Sequence, residues 1–318
     1  MGRFLVRRLL GMVAVLFAVS VLAFLIFNVI PSSDPAQRMA GRNATPQLVA
    51  AITAEWGFDD APPQQYLTMM GNILSGDVVS YANRENVDDR IVEGIPATFS
   101  LCAGAAVLWL AFGILFGYLS AVRAGGWLDK TLTVVAVTGI SIPVFWLAAL
   151  LLNYLAYQTG LFPSGGYIGL TEEPLEWAYH LLLPWVTLAV LQIGFYSRVL
   201  RSNMLDAMDE DYVRTARAKG LSERRVMTRH VLRNSLVPIV TLFGLDIGVL
   251  LGGAILIEAI FNLNGIGQYA FESLKGLDLP PIMAIVLFGA FFVVLFNALA
   301  DVAYAFLDPR VKLESGAR

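Results

Sequence analysis

The chain alternates long apolar runs with shorter polar segments, and the runs carry the first prediction. Residues 9–30, 97–121, 131–157, 177–197, 235–257 and 282–306 are predominantly apolar. At about 1.5 Å rise per residue, runs of this length reach roughly 30 Å as helices, the thickness of a bilayer hydrocarbon core. The pattern predicts an all-α polytopic membrane protein with six transmembrane helices. A cleaved signal peptide competes for the first run, but its apolar core would be about 7–15 residues long. This run is longer and ends in the polar stretch 28–31, so it reads as a retained anchor. Gly139 and Pro143 interrupt the third run, and Pro184 lies in the fourth; both are weak signals of broken helices.

The polar segment 31–95 has its own helix signals. Thr45 followed by Pro46 has the form of an N-cap and first helical position, predicting a short helix over 47–56. Residues 63–74 form a second, ended by Gly76. The segment is too small for a two-lobed binding domain and reads as a compact cap. Asn43-Ala44-Thr45 matches a glycosylation sequon, a pattern short enough to arise by chance. The chain thus divides into the N-terminal tail and first helix (1–30), the cap (31–95) and a core (96–318) containing the polar return 198–234.

Composition agrees with the runs. Hydrophobic residues make up 57% and charged residues 15% of the 318 positions, against about a quarter charged in soluble domains. The net charge of −3 conceals a strong asymmetry. With the N-terminus inside, 17 of the 22 Lys and Arg fall on the inner side, and nine of those lie in 198–234. Lys and Arg bias in loops near the spans sets orientation, so both termini are predicted to be cytoplasmic. The single cysteine, Cys102, lies in an apolar run and has no intrachain partner for a disulfide; with only His180 and His230 besides, a metal centre is not expected. No nucleophile–base pair suggests an intramembrane enzyme.

Charges inside the runs are candidate chemistry. Asp246 and Asp301 lie within spans and Glu258 at the outer end of the fifth. An ionised carboxylate is costly in lipid, so each must face the bundle interior, a watery path or a partner. Two readings of Asp246 and Glu258 stand side by side, a translocation path and polar contacts between helices. The same helix carries Gly248, Gly252 and Gly253, and Gly248-x-x-x-Gly252 has the small-xxx-small spacing that lets helices approach closely, within one chain or between two.

The return 198–234 is patterned beyond its charge. Asp209, Glu210 and Asp211 stand where acids complement the start of a helix. Tyr212, Ala216 and Lys219 recur at helical spacing as a face of small residues with one aromatic, and Gly220 ends the helix. Ser222 is placed to cap a second helix over 223–232. Lipid headgroups would account for the basic residues. They would not account for the acidic triplet, the glycine break or the small face, which suit docking into a partner's cleft.

The block Tyr212-Val213-Arg214-Thr215-Ala216-Arg217-Ala218-Lys219-Gly220, followed after nine residues by His230-Val231-Leu232-Arg233-Asn234, resembles the "EAA" loop of ABC importer permeases. Arg214-Thr215-Ala216 stands for Glu-Ala-Ala, a departure similar to the version in the dipeptide/oligopeptide (and nickel) permease family. Further matches run along the chain: Gly76-Asp77, Ser141-Ile142-Pro143-Val144-Phe145-Trp146, Leu251-Gly252-Gly253-Ala254, Ile257-Glu258, Phe261, Gly265-Ile266-Gly267 and Leu307-Asp308-Pro309-Arg310. The 31–95 segment resembles the external insert of the first of the two permease subunits.

The resemblance implies a type I ABC importer permease fold in a bacterial-type plasma (inner) membrane. It implies a second homologous permease, two ATPase subunits and an external peptide-binding protein as partners, with lipid around them and no nucleic acid. It assigns Tyr212, Val213, Arg214, Thr215, Ala216, Ala218, Lys219, Gly220 and Leu221 to ATPase coupling, Ala216 permitting close docking. ATP and Mg would sit on the ATPases, since this sequence has no Gly-x-x-x-x-Gly-Lys-Ser/Thr phosphate loop, and no cofactor is expected on this chain. The implied cargo is a di- or oligopeptide, with nickel chelates or other small solutes as the alternative. An ion-coupled carrier is the alternative of another class, and the lack of an obvious inverted repeat counts against it.

Overall fold

The computed structural model describes residues 2–29, 34–41 and 44–307. Its helices are α1 (Gly2–Phe24), α2 (Pro35–Ala40), α3 (Pro46–Trp56), α4 (Pro62–Ser75), α5 (Val87–Val122), α6 (Trp127–Ser141), α7 (Val144–Leu151), α8 (Pro174–Met208), α9 (Asp211–Ala218), α10 (Glu223–Arg225), α11 (Arg233–Phe261), α12 (Ile266–Gly276) and α13 (Leu279–Leu307). Among the described residues, five helical segments are long and apolar enough to cross a membrane, and α6 with α7 and its continuation to Gln158, bent by 100° at the break, gives a sixth where the pair counts as one span. The sequon residue Asn43, the tail beyond Leu307, and the surroundings of Gly252, Gly253 and Asp301 lie outside the described residues.

Local chemistry explains where the spans begin and break. The second span starts at Val87, well before the apolar run at 97. The Asn86 side chain accepts from the backbone N–H groups of Asp88 and Asp89, capping a helix whose first turn is acidic and therefore favourable to the dipole. The third span breaks where Ile142, ahead of Pro143, takes extended backbone (φ −81°, ψ 124°). Pro184 sits inside α8 without ending it.

The chain forms two compact units, residues 1–99 with 251–298 and residues 100–250 with 299–318. In the first, the polar segment folds much as its caps predict. Thr45 accepts from the N–H of Leu48 at the start of α3, and Gly76 (φ +80°) closes α4. The segment does not stand alone. Met39, Ile52, Trp56, Met69 and Val87 share one buried core with Ile266, Tyr269 and Met283 of α12 and α13. Ser80 Oγ donates to the buried Asp278 carboxylate between those helices, and Trp56 Nε1 donates to Tyr81 Oη at 2.6 Å.

The second unit is built around α8. A Cβ on Gly113 or Gly117 of α5 would come within 2.9 Å of Tyr196 or 2.8 Å of the Ser197 carbonyl, so α5 lies backbone-close to α8 there. On α8 itself, a Cβ at Gly194 would approach the Ala136 carbonyl of α6 to 2.5 Å. Such close approach supplies the dispersion contacts that hold helices together in lipid, where no hydrophobic force separates them from solvent.

Candidate functional site: the connection between α8 and α11

The polar return is more helical than its composition predicts. Residues 198–208 prolong α8, and 223–232 prolong α11 through α10 and a wide turn, Val226–Leu232, that runs unbroken into Arg233. The expected second short helix is therefore the end of the fifth span. Ser222 makes no side-chain cap; its carbonyl accepts from the N–H groups of Arg225 and Val226 at 2.9 and 3.0 Å. What projects between the long helices is 209–222, with α9 at its centre.

A closed set of hydrogen bonds ends α9. The Gly220 N–H donates to the Arg217 carbonyl at 2.9 Å and the Leu221 N–H to the Ala216 carbonyl at 3.4 Å, the paired bonds of a Schellman turn. Gly220 takes φ +75°, a left-handed conformation that glycine adopts without the strain an L-residue would carry. Arg217 grips Glu223 across the turn, Nε to Oε2 at 3.2 Å and Nη2 to Oε1 at 2.8 Å. The pair is exposed and contributes little stability, but its bidentate geometry sets the angle of the turn.

The inward face of α9 is covered by its own chain. Ala216 (5% exposed) and Val213 (0%) are buried in this chain, and α9 packs against the wide turn, whose Val226, Met227 and Val231 are also buried. Within this chain the loop itself covers most of Ala216, and a small side chain lets it do so. The outward surface carries Tyr212, Arg214, Thr215, Ala218, Lys219 and Gly220, with Leu221 half-buried beneath. Tyr212, Thr215 and Lys219 follow one another at i, i+3 and i+7, so they share one helical face. Spacing alone could not tell that face from the neighbouring one.

The two carboxylates separate. Asp246 is half-buried and accepts from Tyr196 Oη at 2.7 Å; the Tyr196 ring lies 6.0 Å from that of Trp109, which in turn packs edge to face with Phe243 at 5.7 Å. Glu258 is fully buried. Thr98 Oγ1 donates to its Oε1 at 2.8 Å, and the backbone N–H of Gln268 donates to Oε2 at 3.1 Å, with that of Gly267 converging on it. Thr98 Oγ1 itself accepts from the Ile266 N–H at 3.0 Å. Glu258 thus caps α12 from another helix, satisfying donors that Gly265, lacking a side chain, leaves open. A Cβ at Gly265 would collide with this carboxylate, and one at Gly267 would come within 2.7 Å of Ile255 Cα. The Gly265-Ile266-Gly267 motif makes room for the cap. Gly248 is buried in α11.

Comparisons with known proteins agree with this geometry. Residues 113–313 match the family described as the binding-protein-dependent transport system inner membrane component, and residues 1–102 match the N-terminal model of such membrane components. A putative peptide transport system permease of Brucella abortus (strain 2308) is 36% identical over 99% of this chain and all of its own length. The oligopeptide transport system permease AppB of Bacillus subtilis (strain 168) is 35% identical, covering 98% of this chain and 100% of the relative. The glutathione transport system permease GsiC of Pectobacterium atrosepticum is also 35% identical, over 98% and 99%. The inward-facing MetNI methionine ABC transporter shares the fold at a TM-score of 0.53 and 17% identity, across 69% of this chain and 96% of that one. With both family models matched and full-length relatives at this identity, the chain belongs to the inner-membrane permease components of binding-protein-dependent transport systems, multi-pass membrane proteins with the ABC importer permease fold.

Proposed function

We propose that this chain is one of two permease subunits of an ATP-driven importer of di- or oligopeptides, working by alternating access. The observation that carries the coupling is the 209–222 projection: a short helix locked by its own turn, held between continuations of two membrane-spanning helices, with Tyr212, Thr215 and Lys219 outward. A segment so braced transmits a push from a partner instead of absorbing it. Two cytoplasmic ATPase subunits, carrying ATP and Mg, engage such projections from this chain and from a homologous second permease. Both termini lie on the ATPase side in this reading, which the Lys and Arg distribution supports. An external binding protein delivers the peptide, and this chain contributes no catalytic group or cofactor of its own. The peptide assignment rests on the names of the relatives. Asp246, half-buried and, among the described residues, bonded by Tyr196 alone, is the better of the two carboxylates for lining the path.

Reconstituted uptake tests this reading. Proteoliposomes containing both permeases, the ATPases and the binding protein are expected to accumulate labelled peptide only with ATP inside the ATPase-facing compartment. Uptake by this chain alone under an ion gradient contradicts it.

A further inference from the structure

The turn between α5 and α6 is tied to α8 by one buried carboxylate. Asp129, in the first turn of α6, is 4% exposed. It accepts the Gly125 N–H at 2.8 Å, the Ser120 hydroxyl, and Arg201 through Nε at 2.7 Å and Nη2 at 2.8 Å. Four donors from the last turn of α5, the connecting turn and α8 converge on two oxygens. A bidentate guanidinium on a buried carboxylate fixes orientation as well as distance, and Lys could not reproduce the fork. Arg201 lies two helical turns before α8 ends at Met208, and α8 leads through Asp209 and Glu210 into α9.

We propose that the Asp129–Arg201 pair is a strut of the coupling machinery. It makes the α5–α6 turn travel with the base of α9, so that movement of the projection reaches two further spans. Both are positioning residues, acting through the helices they join. The proposal rests on the coupling role proposed for 209–222.

Two measurements on the assembled complex test it. Spin labels on the exposed positions of Arg123→Cys and Glu210→Cys, with the buried Cys102 retained, report their separation in nucleotide-free and ATP-trapped states. The strut keeps that separation constant to about 2 Å while each label moves against the rest of the complex; a change of several ångström, the scale of interface helix shifts or more, overturns it. Arg201→Lys is expected to leave binding-protein-stimulated ATP hydrolysis in place and to lower peptide imported per ATP by roughly tenfold, because geometry and not charge is lost. An unchanged ratio overturns the strut, whatever happens to thermal stability. Failure of the coupling role itself would be recognised separately, as a native complex whose ATP hydrolysis does not respond to the binding protein.

Discussion

Replacing Glu258 with alanine is expected to destabilise the protein by on the order of 3 kcal/mol or more. The carboxylate is fully buried and receives the Thr98 hydroxyl and backbone N–H groups of the first turn of α12. Each buried donor left without an acceptor costs about 1–3 kcal/mol, and at least two are stranded. The cavity left by the side chain adds to the loss. Glu258→Gln keeps the volume and one carbonyl oxygen, so it is expected to fall between wild type and alanine. Thermal unfolding of the purified complex, with the amount of assembled permease in membranes, measures the order. An alanine variant of native stability with an altered substrate range would instead place Glu258 on the path.

Gly220→Glu is expected to abolish transport while leaving the chain in the membrane. A Cβ at Gly220 meets no atom within 4 Å, so the fold has room for a side chain. The cost to the fold is confined to φ +75°, about 1–2 kcal/mol for an L-residue, in an exposed turn. The new carboxylate, however, projects beside Lys219 from the surface proposed to dock the ATPase. Binding-protein-stimulated ATP hydrolysis is expected to be lost along with uptake. Gly220→Asn, which tolerates the left-handed region better, is expected to retain most of both. Normal uptake by the Glu variant would remove the turn from the coupling surface.

The contrast between these two sites shows what a sequence displays. The spans, the break at Pro143, the caps at Thr45 and Gly76 and the turn at Gly220 are local: each is decided by residues within a few positions of one another. Thr98 and Glu258 lie 160 positions apart, and Asp129 and Arg201 lie 72 apart. Asp129 and Arg201 meet only through the packing of α6 on α8, which no local pattern displays. Glycine spacing in α5 was as readable as that in α11, yet its meaning depends on Tyr196 and Ser197 lying opposite. The inward turn of Ala216 has the same cause. A short amphipathic helix offers two adjacent faces, and the wide turn Val226–Leu232, not the helix itself, selects which one is covered. Asn86 was a readable cap that the apolar run obscured, because polar first turns lower local hydropathy without ending a helix.

Site-directed cross-linking tests the central claim most directly. Lys219→Cys, on the exposed face of the projection, paired with cysteines across the surface of an ATPase subunit, is predicted to give a permease–ATPase product in the native complex. Thr171→Cys, in the exposed acidic segment before α8, is predicted to give none. A product at Thr171→Cys with none at Lys219→Cys would contradict both the orientation and the coupling role of 209–222.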